Sequence, residues 1–321
     1  MSTIRTVGVV GTGVIGSSWI GLFLAHGLQV LVSDPAPDAE QKLADYLKRI
    51  WPTLEDIGLE SGASISNYKF IGATLDGYLD KVDFIQENAP ERVDLKAKLI
   101  GELDAGTRPG VIIASSSSGL PSSQFISECT KNNGRVLIGH PFNPPHLMPL
   151  VEVVPHPKTD HKVVEEAMTF YRFLHRTPVY ICKEVPGFIA NRLQAALCCE
   201  VYSLVSRGVV SAKDIDQCVT ASLGIRWAAV GPLMANAFGG GGGVEGFKHM
   251  AQHLGPVTKL WLEDMRKNRF EPTPENTESL IASVAEEMKA CNSDKTEQER
   301  DKFTVQTIKW KRAIAEGINI Q

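Results

Sequence analysis

The first half of the chain alternates short, uniformly apolar runs with segments whose apolar residues recur at helical spacing. Residues 6–10 read as a buried strand, 14–26 as a helix and 29–33 as a second strand. Residues 39–54, rich in alanine, leucine and lysine, predict an amphipathic helix. Apolar runs at 82–85, 111–114, 136–139, 150–154 and 179–182 predict further strands, and the charged stretch 92–103 predicts a helix between two of them. Strands without polar alternation, separated by helices, imply a mostly parallel sheet covered on both faces. After about residue 185 the pattern changes. Pro186-Gly187 ends the last strand-like run, and Phe188, Ile189, Leu193, Leu197, Val201, Leu204 and Val205 then recur at helical spacing. Arg207-Gly208 closes that helix, and Ser211 with Asp214 forms the cap that opens the next. The rest is helix-rich, interrupted by a glycine run at 239–243 and by a very polar stretch at 292–300 that reads as a loop or a solvated helix end.

A length of 321 residues favours two domains, and 43% hydrophobic with 22% charged residues is ordinary for a soluble globular protein. A net charge of -4 gives no electrostatic reason to expect nucleic acid or an anionic membrane as partner. The six cysteines form no CxxC pair and no metal-ligand spacing, so reduced thiols and no metal are expected. Residues 7–24 are apolar enough to resemble a signal peptide, but Gly11, Gly13, Gly16, Ser17 and Ser18 fit a strand–turn–helix unit better. The closing Ile-Asn-Ile-Gln is not a peroxisomal tripeptide, and a cytoplasmic location is the expectation.

Gly11-Thr12-Gly13-Val14-Ile15-Gly16 is a G-x-G-x-x-G between a strand and a helix. In that setting the glycines permit a tight turn, close approach of backbone to a pyrophosphate, and packing of helix on sheet. The N–H groups opening the helix, at Val14 and Ile15, face the phosphates with the positive end of the helix dipole. Asp34 ends the second strand, where a carboxylate can accept from ribose hydroxyls and would repel a 2′-phosphate. Pro35-Ala36-Pro37 offers no arginine to such a phosphate, so NAD is expected over NADP. The expected fold class is α/β, with a doubly wound Rossmann-type NAD domain over residues 1–185. An all-helical domain for substrate and dimerisation is expected over 186–321.

His140 is followed twelve residues later by Glu152 in Gly-His-Pro-Phe-Asn-Pro-Pro-His-Leu-Met-Pro-Leu-Val-Glu. With Ser115–Leu120 and Pro186-Gly187-Phe188-Ile189-Ala190-Asn191-Arg192, this segment resembles the L-3-hydroxyacyl-CoA dehydrogenase superfamily, from the glycine loop to roughly residue 260. Gln86-Glu87 before Ala89-Pro90-Glu91, and Arg226-Trp227 after Leu223-Gly224-Ile225, are most similar to the branch acting on free acids. That branch includes L-carnitine dehydrogenase and lambda-crystallin/L-gulonate 3-dehydrogenase. The resemblance implies that His140 accepts the hydroxyl proton as hydride leaves, and that Glu152 holds the imidazole. It also implies that Ser118 and Asn191 bond the reacting oxygen and that Glu91 and Lys96 touch the cofactor. Hydride transfer needs such a base and a polar grip on the developing carbonyl.

Ser115-Ser116-Ser117-Ser118-Gly119 departs from the acyl-CoA enzymes, with a serine where they commonly carry asparagine and Gly119 where they commonly carry serine. Arg226-Trp227 occupies a stretch that is shorter in them. An arginine there can pair bidentately with a substrate carboxylate, the alternative being a plain surface arginine. Trp227 or Phe238 could face a trimethylammonium group, or be simple core. The glycine run lacks the Gly-Lys-Ser/Thr of a phosphate loop, and His249 and His253 lack the residues of a zinc protease between them. Lys42, Lys48 and Arg49 read as a solvated helix face rather than a CoA-phosphate site. The expected activity is NAD-dependent oxidation of the 3-hydroxyl of a small free L-3-hydroxy acid resembling gulonate, carnitine or 3-hydroxybutyrate, by a homodimer. The alternatives are an L-3-hydroxyacyl-CoA dehydrogenase and a crystallin-like structural or cofactor-sequestering protein.

Overall fold

The computed structural model describes residues 3–289 and 291–315, so the Ile-Asn-Ile-Gln end lies outside the described residues. Eight strands form one sheet: β1 (Thr6–Val10), β2 (Gln29–Ser33), β3 (Tyr68–Gly72), β4 (Phe84–Glu87), β5 (Ile112–Ser115), β6 (Val136–Pro141), β7 (Leu150–Pro155) and β8 (Thr177–Tyr180). Their order is β3-β2-β1-β4-β5-β6-β7-β8, parallel throughout except for the antiparallel β6–β7 pair. The helices between them are α1 (Val14–Ala25), α2 (Ala39–Ile57), α3 (Val93–Gly106) and α4 (His161–Phe173).

Successive strand residues feed two cores. Val7, Val9, Phe84, Leu137, Val151 and Val153 pack with α1, α2 and α4, while Val10, Ile85, Ile113, Ile138 and Val154 pack with α3. Burial of both faces explains why the strands read as unbroken apolar runs. Two elements escaped the sequence reading. Strand β3 is only half-buried and mixes Tyr68, Lys69 and Phe70, and α4 follows β7 with an apolar stripe at Val163, Val164, Ala167, Phe170 and Tyr171.

The remaining helices are α5 (Ala190–Ser206), α6 (Ala212–Cys218), α7 (Gly224–Gly239), α8 (Gly243–Lys267), α9 (Pro274–Lys289) and α10 (Ser293–Ala315), with a π-helical turn at Val219–Leu223. The Ser211 cap forms as expected, its hydroxyl accepting from the Asp214 amide at 3.1 Å. The polar stretch at 292–300 is helical, as the start of α10. The stretch Ala212–Gly239 is long and apolar enough to cross a membrane by length and composition. It is interrupted at Gly231 (φ 74°, ψ 168°), ahead of Pro232.

The chain separates into two compact units, Met1–Asn191 joined by the chain from Glu299 onward, and Arg192–Gln298. The first holds the sheet; the second contains helices and no strand among its described residues. The compact first unit continues past residue 185, the end of the expected first domain, as far as Asn191. Residues 189–191 are tied by hydrogen bonds to Glu152 and Ser118 of the first unit. Lys309 of α10 pairs with Asp56 of α2 at 2.7 Å, which draws the last helix to the same unit.

Candidate active site

The antiparallel register of β6 and β7 sets His140 directly opposite Glu152, so the twelve-residue spacing is a cross-strand pair. His140 Nδ1 lies 2.8 Å from Glu152 Oε2, and both side chains are buried. An ionised carboxylate can only accept, so Nδ1 carries the proton and Nε2 keeps its lone pair. Nε2 has no hydrogen-bond partner among the described residues. The imidazole is flanked by Phe142 and Phe188, with ring centroids at 6.0 and 5.5 Å.

The second oxygen of Glu152 accepts from the amides of Ile189 and Ala190 at 2.9 and 3.0 Å. These are among the free N–H groups at the start of α5, where the helix dipole also favours a negative charge. Burial works against the Glu152 charge, but the His140 ring N–H and the two amides outweigh it and hold the carboxyl below its usual range. Phe188 was grouped with the following helix by its spacing. It stands instead before α5 with a left-handed backbone (φ 49°), fully buried against His140. That conformation is strained for a bulky side chain and marks a constrained site.

Glu91 organises the serine loop after β5. Its Oε1 accepts from Ser117 Oγ at 2.6 Å and from the amides of Ser118, Gly119 and Leu120 at 3.0, 2.9 and 3.2 Å. Asn191 Nδ2 donates to the Ser118 carbonyl at 2.9 Å, which brings the expected pair together. Ser118 Oγ is exposed and has no partner among the described residues. Glu91 keeps 41% of its side chain exposed, so the expected cofactor contact stays open to it.

Lys96, the other expected cofactor contact, is engaged in an ion pair of the protein. It is buried, and its ammonium donates to Glu87 Oε1 and Oε2 at 2.9 and 3.0 Å and to the Ala89 carbonyl at 3.0 Å. All three protons are thereby used, so Lys96 holds Glu87 and the 89–91 turn together. Glu87 also accepts from Ser115 Oγ and from the Ala89 amide. Sequence reasoning assigned Glu87 no role. The available signal was a carboxylate ending a strand buried on both faces, which requires a buried cation nearby.

The glycine loop fits a dinucleotide. Gly11 has φ +88°, and a Cβ there would sit 2.8 Å from the Asn88 carbonyl oxygen; one at Gly16 would overlap Gly11 itself. Gly13, at the N-terminus of α1, has open space around its Cβ position, and no side chain caps that helix. The first amides of α1, at Val14 and Ile15, are therefore left for an anion such as the pyrophosphate. Asp34 accepts from the Thr12 amide and hydroxyl at 2.6 and 2.7 Å through one oxygen, and from the Ala36 amide at 2.8 Å through the other. Burial opposes its charge, yet these bonds hold it below the usual carboxylate range, leaving an anion at the end of β2. Arg226 and Trp227 belong to the second unit, both exposed on α7, where Arg226 is the only charged residue.

The family model described as "3-hydroxyacyl-CoA dehydrogenase, NAD binding domain" matches residues 6–185, and that of the C-terminal domain matches 187–271. This chain belongs to the NAD-dependent 3-hydroxyacyl-CoA dehydrogenase family. Among its relatives in the family, a 3-hydroxyacyl-CoA dehydrogenase of Gibberella moniliformis is 49% identical over 312 residues, 97% of this chain and 96% of that one. L-carnitine dehydrogenases of Streptomyces coelicolor (44% identical, covering 80% of this chain and 79% of that one) and Pseudomonas putida (42%, 88% and 85%) are also similar. A crystal structure described as an NAD+-dependent dismutase, 5-formyl-3-hydroxy-2-methylpyridine 4-carboxylic acid 5-dehydrogenase, matches with a TM-score of 0.73 at 27% identity. It covers 99% of this chain and 100% of that one. The chain is thus a dehydrogenase of this family with NAD as cofactor.

Two predictions follow from the buried charges. Lys96→Met strands the Glu87 carboxylate and should lower unfolding free energy by roughly 3–5 kcal/mol in urea titration; a loss under about 1 kcal/mol contradicts the pairing. Because the folded-state pKa of Glu152 is depressed, its contribution is complete above the unfolded value of about 4.3 and is lost as pH falls through the lower folded value. The stability difference between wild type and Glu152→Gln should therefore shrink from about pH 5 down to about pH 3, and a constant difference across that range contradicts it.

Proposed function

We propose that the protein oxidises the 3-hydroxyl of a small free L-3-hydroxy acid to the 3-keto acid, with His140 as general base. The observation that carries the base assignment is the His140–Glu152 pair, which fixes the proton on Nδ1 and leaves Nε2 free to accept another. NAD, when bound, supplies the hydride acceptor. His140 Nε2 takes the hydroxyl proton, and Glu152 stabilises the imidazolium that results. The exposed Ser118 hydroxyl and the Asn191 side chain hold the reacting oxygen. Glu91 keeps the serine loop in place for that contact.

The free-acid reading rests on Arg226, the lone charge on an apolar helix, and on the L-carnitine dehydrogenases among the relatives. An arginine offers the planar fork that a carboxylate needs and a thioester does not. A quaternary ammonium tail would be met by an aromatic face at Trp227 or Phe238, both exposed on the same helix. The 3-hydroxyacyl-CoA dehydrogenase name of the 49% identical relative favours the thioester as second reading. A homodimer is also proposed, supported by the exposed Ile225, Leu233, Met234 and Phe238 of α7.

His140→Gln should bind NADH as wild type does but turn over roughly 10²–10⁴-fold more slowly; a variant keeping about half the activity rules out the base. For substrate class, kcat/KM is compared for L-carnitine, L-3-hydroxybutyrate, L-gulonate and 3-hydroxybutyryl-CoA. Arg226→Met should lower kcat/KM for the free acid by roughly tenfold or more, as expected for losing a charge-assisted bidentate pair, with NAD affinity unchanged. Preference of the wild type for the thioester, or indifference to Arg226→Met, overturns the free-acid reading.

A further inference from the structure

Beneath the proposed base lies a buried polar chain that the reaction chemistry does not itself require. Tyr171 of α4 donates its hydroxyl to Gln86 Oε1 at 2.8 Å. Gln86 Nε2 donates to Ser116 Oγ at 2.8 Å and to the Gly139 carbonyl at 3.3 Å. Ser116 Oγ donates to Asn88 Oδ1 at 2.7 Å and accepts from the Trp19 indole N–H at 3.1 Å. Asn88 Nδ2 donates to the carbonyls of Gln86 and Val10 at 2.9 and 3.2 Å. Trp19, Gln86 and Tyr171 are fully buried, and Ser116 is 9% exposed.

The direction of every bond in this chain is forced. The carbonyls of Gly139, Gln86 and Val10 can only accept, so both amide nitrogens must face them, and the indole can only donate. Gln86 Oε1 therefore faces Tyr171, whose hydroxyl must donate, and Ser116 must point its single proton at Asn88. Burial pushes the Tyr171 phenol up, which keeps it a neutral donor.

The chain ends on two catalytic landmarks. One end is the carbonyl of Gly139, the residue before His140; the Tyr171 hydroxyl fills the space where a Cβ at position 139 would stand. The other end is Asn88, whose main-chain oxygen lies against the glycine loop at Gly11 and whose side-chain nitrogen lies near Gly16. We propose that Tyr171, Gln86 and Ser116 are positioning residues that set the backbone of His140 relative to the glycine loop, and so the base relative to the bound cofactor. Losing the Tyr171 hydroxyl leaves Gln86 Oε1 unsatisfied and opens a gap beside Gly139, so the amide that donates to the Gly139 carbonyl can shift, loosening β6 beside His140. The inference rests on His140 being the base, and its test separates the two.

Tyr171→Phe and Ser116→Ala, singly and together, are compared with His140→Gln. The substrate is whichever of L-carnitine, L-3-hydroxybutyrate and 3-hydroxybutyryl-CoA the wild type turns over fastest. Readouts are thermal unfolding, NADH fluorescence titration, kcat, KM and the isotope effect on kcat with substrate deuterated at the carbinol carbon. Tyr171→Phe should lower kcat roughly 10- to 100-fold and raise the isotope effect, with KM and NADH affinity within about threefold of wild type. Because both residues act through one chain, the double variant should be no worse than the weaker single by more than about threefold. Wild-type kcat in folded Tyr171→Phe, a loss confined to KM or NADH affinity, or multiplicative losses in the double variant overturns the proposal. If Tyr171→Phe shows no cooperative unfolding, Ser116→Ala decides by the same kcat, KM and isotope criteria. An active His140→Gln overturns the base assignment and this inference with it, whereas a dead His140→Gln beside an unaffected Tyr171→Phe overturns the positioning chain alone.

Discussion

Glu152 is the charge on which the candidate site depends, because a buried carboxylate must be compensated on every side. Three N–H groups compensate it, from the His140 ring and from the amides of Ile189 and Ala190. In satisfying one charge, the chain fixes the imidazole tautomer, starts α5, and holds Phe188 in its left-handed conformation against the base. Asn191, the next residue along, reaches the Ser118 carbonyl from that same helix start. A helix N-terminus is thus used to stabilise an anion belonging to the protein, where at α1 the equivalent amides are left for a ligand.

Two further carboxylates repeat the device on loops at the ends of β4 and β5. Glu87, paired with Lys96, binds the start of the 89–91 turn and Ser115, and Glu91 gathers the three amides that follow Ser117. Loops would otherwise move on timescales that blur a hydride-transfer geometry, and charge-assisted bonds to backbone amides are the strong means of holding them. The site sits where an open α/β sheet places ligands, outside the carboxyl ends of its parallel strands. Its departure from a purely parallel sheet matters equally. The antiparallel β7 sets Glu152 beside His140 in register while its far oxygen meets the start of α5.

Much of this was legible in the sequence. Hydrophobic periodicity located seven of the eight strands and the three helices that cover the early sheet, because strands buried on both faces leave uninterrupted apolar runs. The glycine loop, Asp34, and the pair His140 and Glu152 announced themselves by residue type at a spacing that chemistry restricts. Strand β3 stayed hidden since an edge strand with mixed polarity has no periodic signature, whereas Pro186-Gly187 marks the seam between the two matching family models, which end at 185 and begin at 187. Tertiary hydrogen bonds carry the compact first unit a few residues past that seam, tying residues 189–191 to Glu152 and Ser118.

The sequence by itself determined which elements form and which residue types carry the chemistry, since propensity, turn glycines and acid–base character are local properties. The tertiary structure alone decided what each polar side chain does. It buried Lys96 against Glu87, turned Glu91 into the clamp of the serine loop, and threaded Tyr171, Gln86, Ser116 and Asn88 into one directed chain. A buried donor or acceptor must find a partner wherever the fold brings one, 97 residues away in the case of Trp19 and Ser116. That requirement is met in space, and no spacing along the chain encodes it.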